Sequence, residues 1–152
     1  MPTEDIPDLV SPLPLLPCTC SNLRRASRAV TRLYNRELQS DDIEITQFTL
    51  LLALDRTGDI PQGELGKLLS LDSTTLTRML ALLKKRGWVH EKEGEDRRFR
   101  IIRLTAAGRR KFHQCLPHWK RAQDHMKTGL GETTVGQLTR LLAQVTRVST
   151  ED

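Results

Sequence analysis

The stretch LDSTTLTRMLALLKKRGWVHEKEGEDRRFRIIRLTAAG, residues 71–108, changes period twice. Up to Gly87 the apolar residues Leu76, Met79, Leu80 and Leu83 recur at helical spacing. At about 100° per residue, Ser73, Thr74, Thr77, Arg78 and Ala81 fall on the opposite side, and Lys84 and Lys85 extend that polar face. Asp72 or Ser73 can cap the start, and Gly87 is a natural stop. WVHEKE and RFRIIRL then alternate with period two around Gly94, Glu95 and Asp96, which predicts a β-hairpin. Thr105 caps a further helix. The first helix exposes small hydroxyls followed by cations, where a merely solvated face would carry Glu and Lys. The hairpin crowds Arg97, Arg98 and Arg100 at an exposed tip, where like charges repel, so an anion outside the chain is expected to neutralise them.

Working outward, Leu23, Ala26, Ala29, Val30, Leu33 and Leu38 predict a helix over roughly 21–39, with Arg24, Arg25, Arg28, Arg32 and Arg36 elsewhere on its circumference. Residues 46–56 predict a largely buried second helix. Pro61 is expected to open a third, at the first-turn position where its missing N–H costs nothing. Downstream, Phe112, Cys115, Leu116, Trp119, Ala122 and Met126 mark a long helix in which Pro117 suggests a kink. That stripe reads as core or dimer seam, not as a cofactor box. Val135, Leu138, Leu141, Leu142, Val145 and Val148 mark a last helix after Gly129 and Gly131. Residues 1–19 carry Pro7, Pro12, Pro14 and Pro17 and predict an extended arm.

The 152 residues suit one domain. A hydrophobic share of 38% with few aromatics favours an aliphatic, mainly helical fold. The net charge is +5 and unevenly spread. Residues 39–83 hold three Lys/Arg against seven Asp/Glu, whereas residues 84–103 hold eight against four. A basic segment beside an acidic one suggests a directed patch for an anionic partner. No apolar run reaches the roughly 20 residues that span a bilayer, and the acidic, proline-broken start does not resemble a signal peptide. A cytoplasmic location with reduced Cys18, Cys20 and Cys115 is the expectation.

A short helix, a turn at Ser70–Leu71–Asp72 and a second helix with a hydroxyl-and-cation face describe a helix-turn-helix, and the hairpin adds a wing. The second helix is sized for the major groove, and the arginine tip suits the narrow minor groove. ELGKLLSLDSTTLTRMLALLKKRGWV followed by DRRFRIIRLTAAG resembles the MarR family of bacterial transcription regulators, over roughly residues 21–148. The resemblance implies a mainly α fold with a small β-hairpin: a winged-helix lobe at about 46–104 and dimerisation helices at about 20–40 and 105–152, the single domain covering 20–152. It implies a homodimer on pseudo-palindromic double-stranded DNA, acting as a repressor or an activator, with repression favoured. Asp96 would brace the wing, Arg98 enter the minor groove and Arg97 lie on the backbone; the alternative is that one of the two arginines only pairs with Asp96, Arg98 being favoured for the groove. Ser73, Thr74, Thr77 and Arg78 would line the recognition helix. Lys84 and Lys85 are candidate phosphate contacts, and with Arg86 they read as phosphate contacts or solvated charges, not as base readers.

Cys18 and Cys20 open the first helix, with Arg24 and Arg25 about a turn later, an environment that favours thiolate. This is similar to the organic-hydroperoxide-sensing branch of the family, in which Cys20 would be the reactive position. Arg24 departs from that branch by replacing its tyrosine, and a structural role where the arm meets a partner subunit is the competing reading. The more general family mode is a small aromatic or phenolic effector in the crevice between dimer helices and DNA-binding lobe. Neither Cys18-x-Cys20 nor the pair His113 and His118 has zinc-site spacing, so neither a metal nor a cofactor is expected. No phosphate loop, paired carboxylates or nucleophile triad is evident, so the chain is not read as an enzyme. The rival function is a helical interaction module that docks an acidic protein.

Overall fold

The computed structural model describes residues 16–151. The arm expected over 1–19 therefore lies, for residues 1–15, outside the described residues. Thr19 already belongs to a helix, because Pro17 is the last proline before it and Cys18 is the extended N-cap residue. The elements in order are α1 (Thr19–Leu38), a 3-10 turn (Gln39–Asp41), α2 (Ile45–Thr57), β1 (Ile60–Pro61), α3 (Gln62–Leu69), α4 (Ser73–Lys85), β2 (Val89–Glu93), β3 (Arg100–Leu104), α5 (Ala106–Leu130) and α6 (Glu132–Thr150). None of the helices among the described residues is long and apolar enough to cross a membrane.

The hairpin is part of a three-stranded antiparallel sheet in the order β1-β3-β2. Ile60 pairs with Ile102 and Pro61 with Ile101. Pro61 was expected as the first residue of the third helix; it is instead that helix's N-cap and the end of an edge strand. An edge tolerates a residue that has no N–H to donate.

The core is aliphatic with an aromatic centre. Leu38, Leu51, Leu54, Leu65, Leu76, Leu80, Leu83, Val89 and Ile102 are buried together with Phe48 and Phe112. Phe48 stacks on Phe112 at 5.4 Å and on Trp119 at 5.8 Å between ring centroids. Phe112 and Trp119 therefore face α2 as part of the core, and Cys115 and Ala122 on the same helix are buried as well. Helix α5 runs unbroken through Pro117, which is exposed.

A buried polar knot ties α5 to the turn between α1 and α2. Asp41, 3% exposed, meets the His118 Nδ1 atom and accepts from the Gln114 side-chain amide at 3.3 Å. Its backbone carbonyl accepts from Lys111. A buried carboxylate is tolerated when it is satisfied in this way. Cys115 lies beside it, and burial first, then the Asp41 charge, pushes its thiol pKa up to about 11. Tyr34 donates to the Gln123 side-chain oxygen, joining α1 to α5.

Candidate nucleic-acid interface

The site is assembled from two surfaces, α4 and the hairpin tip. Helix α4 starts where Asp72 accepts from the Thr75 amide at 2.8 Å and the Thr75 hydroxyl at 2.7 Å. These hydrogen bonds hold the Asp72 carboxyl below its ordinary range. Ser70, at φ +51°, makes the sharp turn out of α3. Leu76, Leu80 and Leu83 are driven into the core. Ser73, Thr74, Thr77, Arg78 and Ala81 consequently share the exposed side, as their spacing predicts. At 13 residues α4 is about 20 Å long.

Its two C-terminal lysines differ. Lys84 is engaged by Glu91 of β2 at 2.5 Å, while Lys85 is exposed and has no carboxylate partner among the described residues. Arg86 turns inward, donating to the Asp42 carbonyl at 2.8 Å and its carboxylate at 3.0 Å, with its guanidinium 4.9 Å from the centre of the Trp88 ring. Sequence reading gave Arg86 no such role, because Asp42 lies far away in the chain.

The hairpin turns through residues 94–99, closed by Gly94 donating a backbone bond of 2.9 Å to Phe99. Asp96 grips Arg98. Its carboxylate accepts from the Arg98 amide at 3.0 Å, from Nε at 3.0 and 3.1 Å, and from Nη2 at 2.7 Å. The side-chain contact, then the amide, lowers the Asp96 pKa, and the same contact raises that of Arg98. The Arg98 side chain is nevertheless 85% exposed, so it is oriented without being covered. Arg97 beside it has no carboxylate partner among the described residues.

The expected reliance on an outside anion needs correction. Arg100 lies 3.5 Å from Glu91 and Arg103 lies 3.5 Å from Asp59, which also holds Lys92 at 3.0 Å. Both carboxylates are depressed, chiefly by hydrogen bonds from Lys84 and Lys92 respectively. The sheet neutralises much of its own charge. On these two surfaces Arg78, Lys85 and Arg97 have no carboxylate partner among the described residues.

The wing base is locked to α5. Thr105 caps α5 by accepting from the Gly108 amide at 2.9 Å and donates to the Gly87 carbonyl at 2.6 Å. A Cβ on Gly108 would lie 2.0 Å from the Trp88 carbonyl oxygen, so the threonine–glycine pair of LTAAG is a packing requirement.

The cysteines are placed apart. Cys18 and Cys20 are exposed and Cys115 is buried. The Ser21 side-chain hydrogen bond, then the backbone one, lowers the Cys18 pKa. Among the described residues no group of His, Cys, Asp and Glu could hold a metal ion.

A helix-turn-helix with an attached wing defines a DNA-binding protein of the winged-helix class. A sequence model described as the MarR family matches residues 41–98. The multiple antibiotic resistance protein MarR of Salmonella typhimurium is 38% identical over 94 residues, 61% of this chain and 64% of that protein. The solved structure of a cysteine-to-serine mutant of Escherichia coli MarR complexed with operator DNA superposes with a TM-score of 0.75 at 30% identity, covering 83% of this chain and 91% of that one. The Mycobacterium tuberculosis transcriptional regulator MosR in complex with DNA superposes with a TM-score of 0.78 at 29% identity, covering 88% and 99%. The chain belongs to the MarR family of transcriptional regulators. Its alignment spans a little under two thirds of the Salmonella relative's length.

Proposed function

We propose that two copies of the chain bind one pseudo-palindromic operator and regulate transcription from it, repression being the favoured direction. In this reading α4 enters the major groove, where Ser73, Thr74, Thr77 and Arg78 face base edges. Arg98, oriented by Asp96, reaches the minor groove, and Arg97 and Lys85 contact phosphates. The winged-helix lobe spans about 46–104, and the segments at about 20–40 and 105–152 join the two copies. The observation that carries this is the exposed Arg98 held by a fork of bonds at the hairpin tip, while its neighbour Arg97 has no carboxylate partner among the described residues. Two of the relatives that superpose on the chain were solved with DNA, which supports the reading.

Salt separates it from docking to an acidic protein. Binding to a random-sequence duplex at low salt is expected, with log K falling linearly in log salt as counterions leave. A chain that binds no duplex at low salt would contradict the reading.

Release by a small aromatic effector between the lobe and the dimer helices follows the general family mode. Oxidation is a second route, favoured by one observation: Cys18 is exposed and its pKa is lowered. An organic hydroperoxide would convert the thiolate to sulfenic acid and leave as the alcohol. This moves the reactive position from Cys20, which the family resemblance implies, to Cys18: with cumene hydroperoxide, the wild type and Cys20→Ser should release DNA while Cys18→Ser holds it. Equal release by all three would remove Cys18 from the mechanism.

A further inference from the structure

Thr77 stands on the exposed face of α4, and its hydroxyl is already engaged. Its Oγ1 donates to the Ser73 carbonyl oxygen at 2.7 Å and accepts from the Gln62 side-chain amide at 3.2 Å. A hydroxyl has one proton, so none remains for a base edge. Gln62 is the first residue of α3, so this bond crosses between the two helices of the helix-turn-helix. Fixing the hydroxyl fixes χ1 of a β-branched side chain, and the γ-methyl with it. Thr77 then has that methyl and one acceptor lone pair to offer a groove. In the major groove a methyl occurs only on thymine, where an apolar side chain can meet it. Ala81, one turn on, continues the same face with another methyl.

We propose that Thr77 selects an A·T pair in each half-site through its methyl group, and that Gln62 is the positioning residue that holds it there. This rests on α4 entering the major groove, as argued above. To donate its hydroxyl to a base, Thr77 would have to give up its bond to Ser73. Gln62 acts from the helix that precedes the turn, so its effect reaches DNA through Thr77.

The test uses a half-site recovered from a random duplex pool, remade with deoxyuridine in place of each thymidine in turn. This removes only a methyl group. The wild type should weaken roughly fourfold at one position per half-site, the equivalent of ~0.8 kcal/mol for one buried methylene-sized group. Thr77→Val should keep that ratio, and Thr77→Ser should bind thymine and uracil alike. Gln62→Ala should pull the ratio toward one at the same position and leave the salt dependence unchanged. A Gln62→Ala variant that weakens every duplex equally, with the ratio intact, would overturn the positioning role. A recovered half-site with no uracil-sensitive thymine would overturn the assignment of Thr77 alone. Failure to recover any half-site would overturn the DNA reading itself and this assignment with it.

Discussion

At Arg98 two demands meet. Its guanidinium lies on the Asp96 carboxylate at 2.7 Å, yet the side chain is almost fully in solvent. A purely structural pair and a pre-oriented groove residue make different predictions. Losing a placed arginine contact should cost about 1–3 kcal/mol of binding in Arg98→Ala. Asp96→Asn should cost less, because the arginine remains and only its orientation loosens. The double variant should match Arg98→Ala, since Asp96 acts through the side chain already removed. Equal losses for the two single variants, read in a gel-shift titration, would reduce Arg98 to a hairpin brace. The D-R-R run could be seen in the sequence because all of its contacts are local. The partners of Arg100 and Arg103 could not, since Glu91 and Asp59 reach them only across paired strands. The Gln62–Thr77 bond was hidden for the same reason: its two ends meet only once the helices pack.

At the scale of elements, helical periodicity was legible wherever one face is buried and the other is wet. Helix α4 shows this best, with Leu76, Leu80 and Leu83 inside and its hydroxyls outside. Strand β1 left no such trace, because two residues ending in proline cannot display alternation. The start of α5 carries the sharpest constraint. Gly108 sits against the Trp88 carbonyl, where a methyl would clash with backbone. Gly108→Ala gains about 1 kcal/mol of helix propensity, but the clash forces the hairpin base away from α5. Overpacking of this kind costs about 1–3 kcal/mol, so a lower urea midpoint is expected. An unchanged or higher midpoint would mean that the contact is looser than the backbone geometry indicates.

At the scale of the whole molecule the telling feature is α6, which has no buried residue. Leu138, Leu141, Leu142 and Val148 are exposed at helical spacing, and Leu130 and Val30 are exposed as well. A stripe of that length is uncommon on a lone soluble chain, and a twofold copy would cover it with the same surface. The apolar pattern was legible in the sequence, whereas what covers it was not, because a partner leaves no periodicity of its own. With two copies, recognition helices about 34 Å apart would match one turn of DNA. Sedimentation equilibrium of the chain alone and with a selected duplex tests this most directly. Two chains per duplex are expected, with a Leu141→Glu variant that sediments as a folded single chain and loses operator binding. One chain per duplex at saturation, bound as tightly by Leu141→Glu as by the wild type, would contradict it.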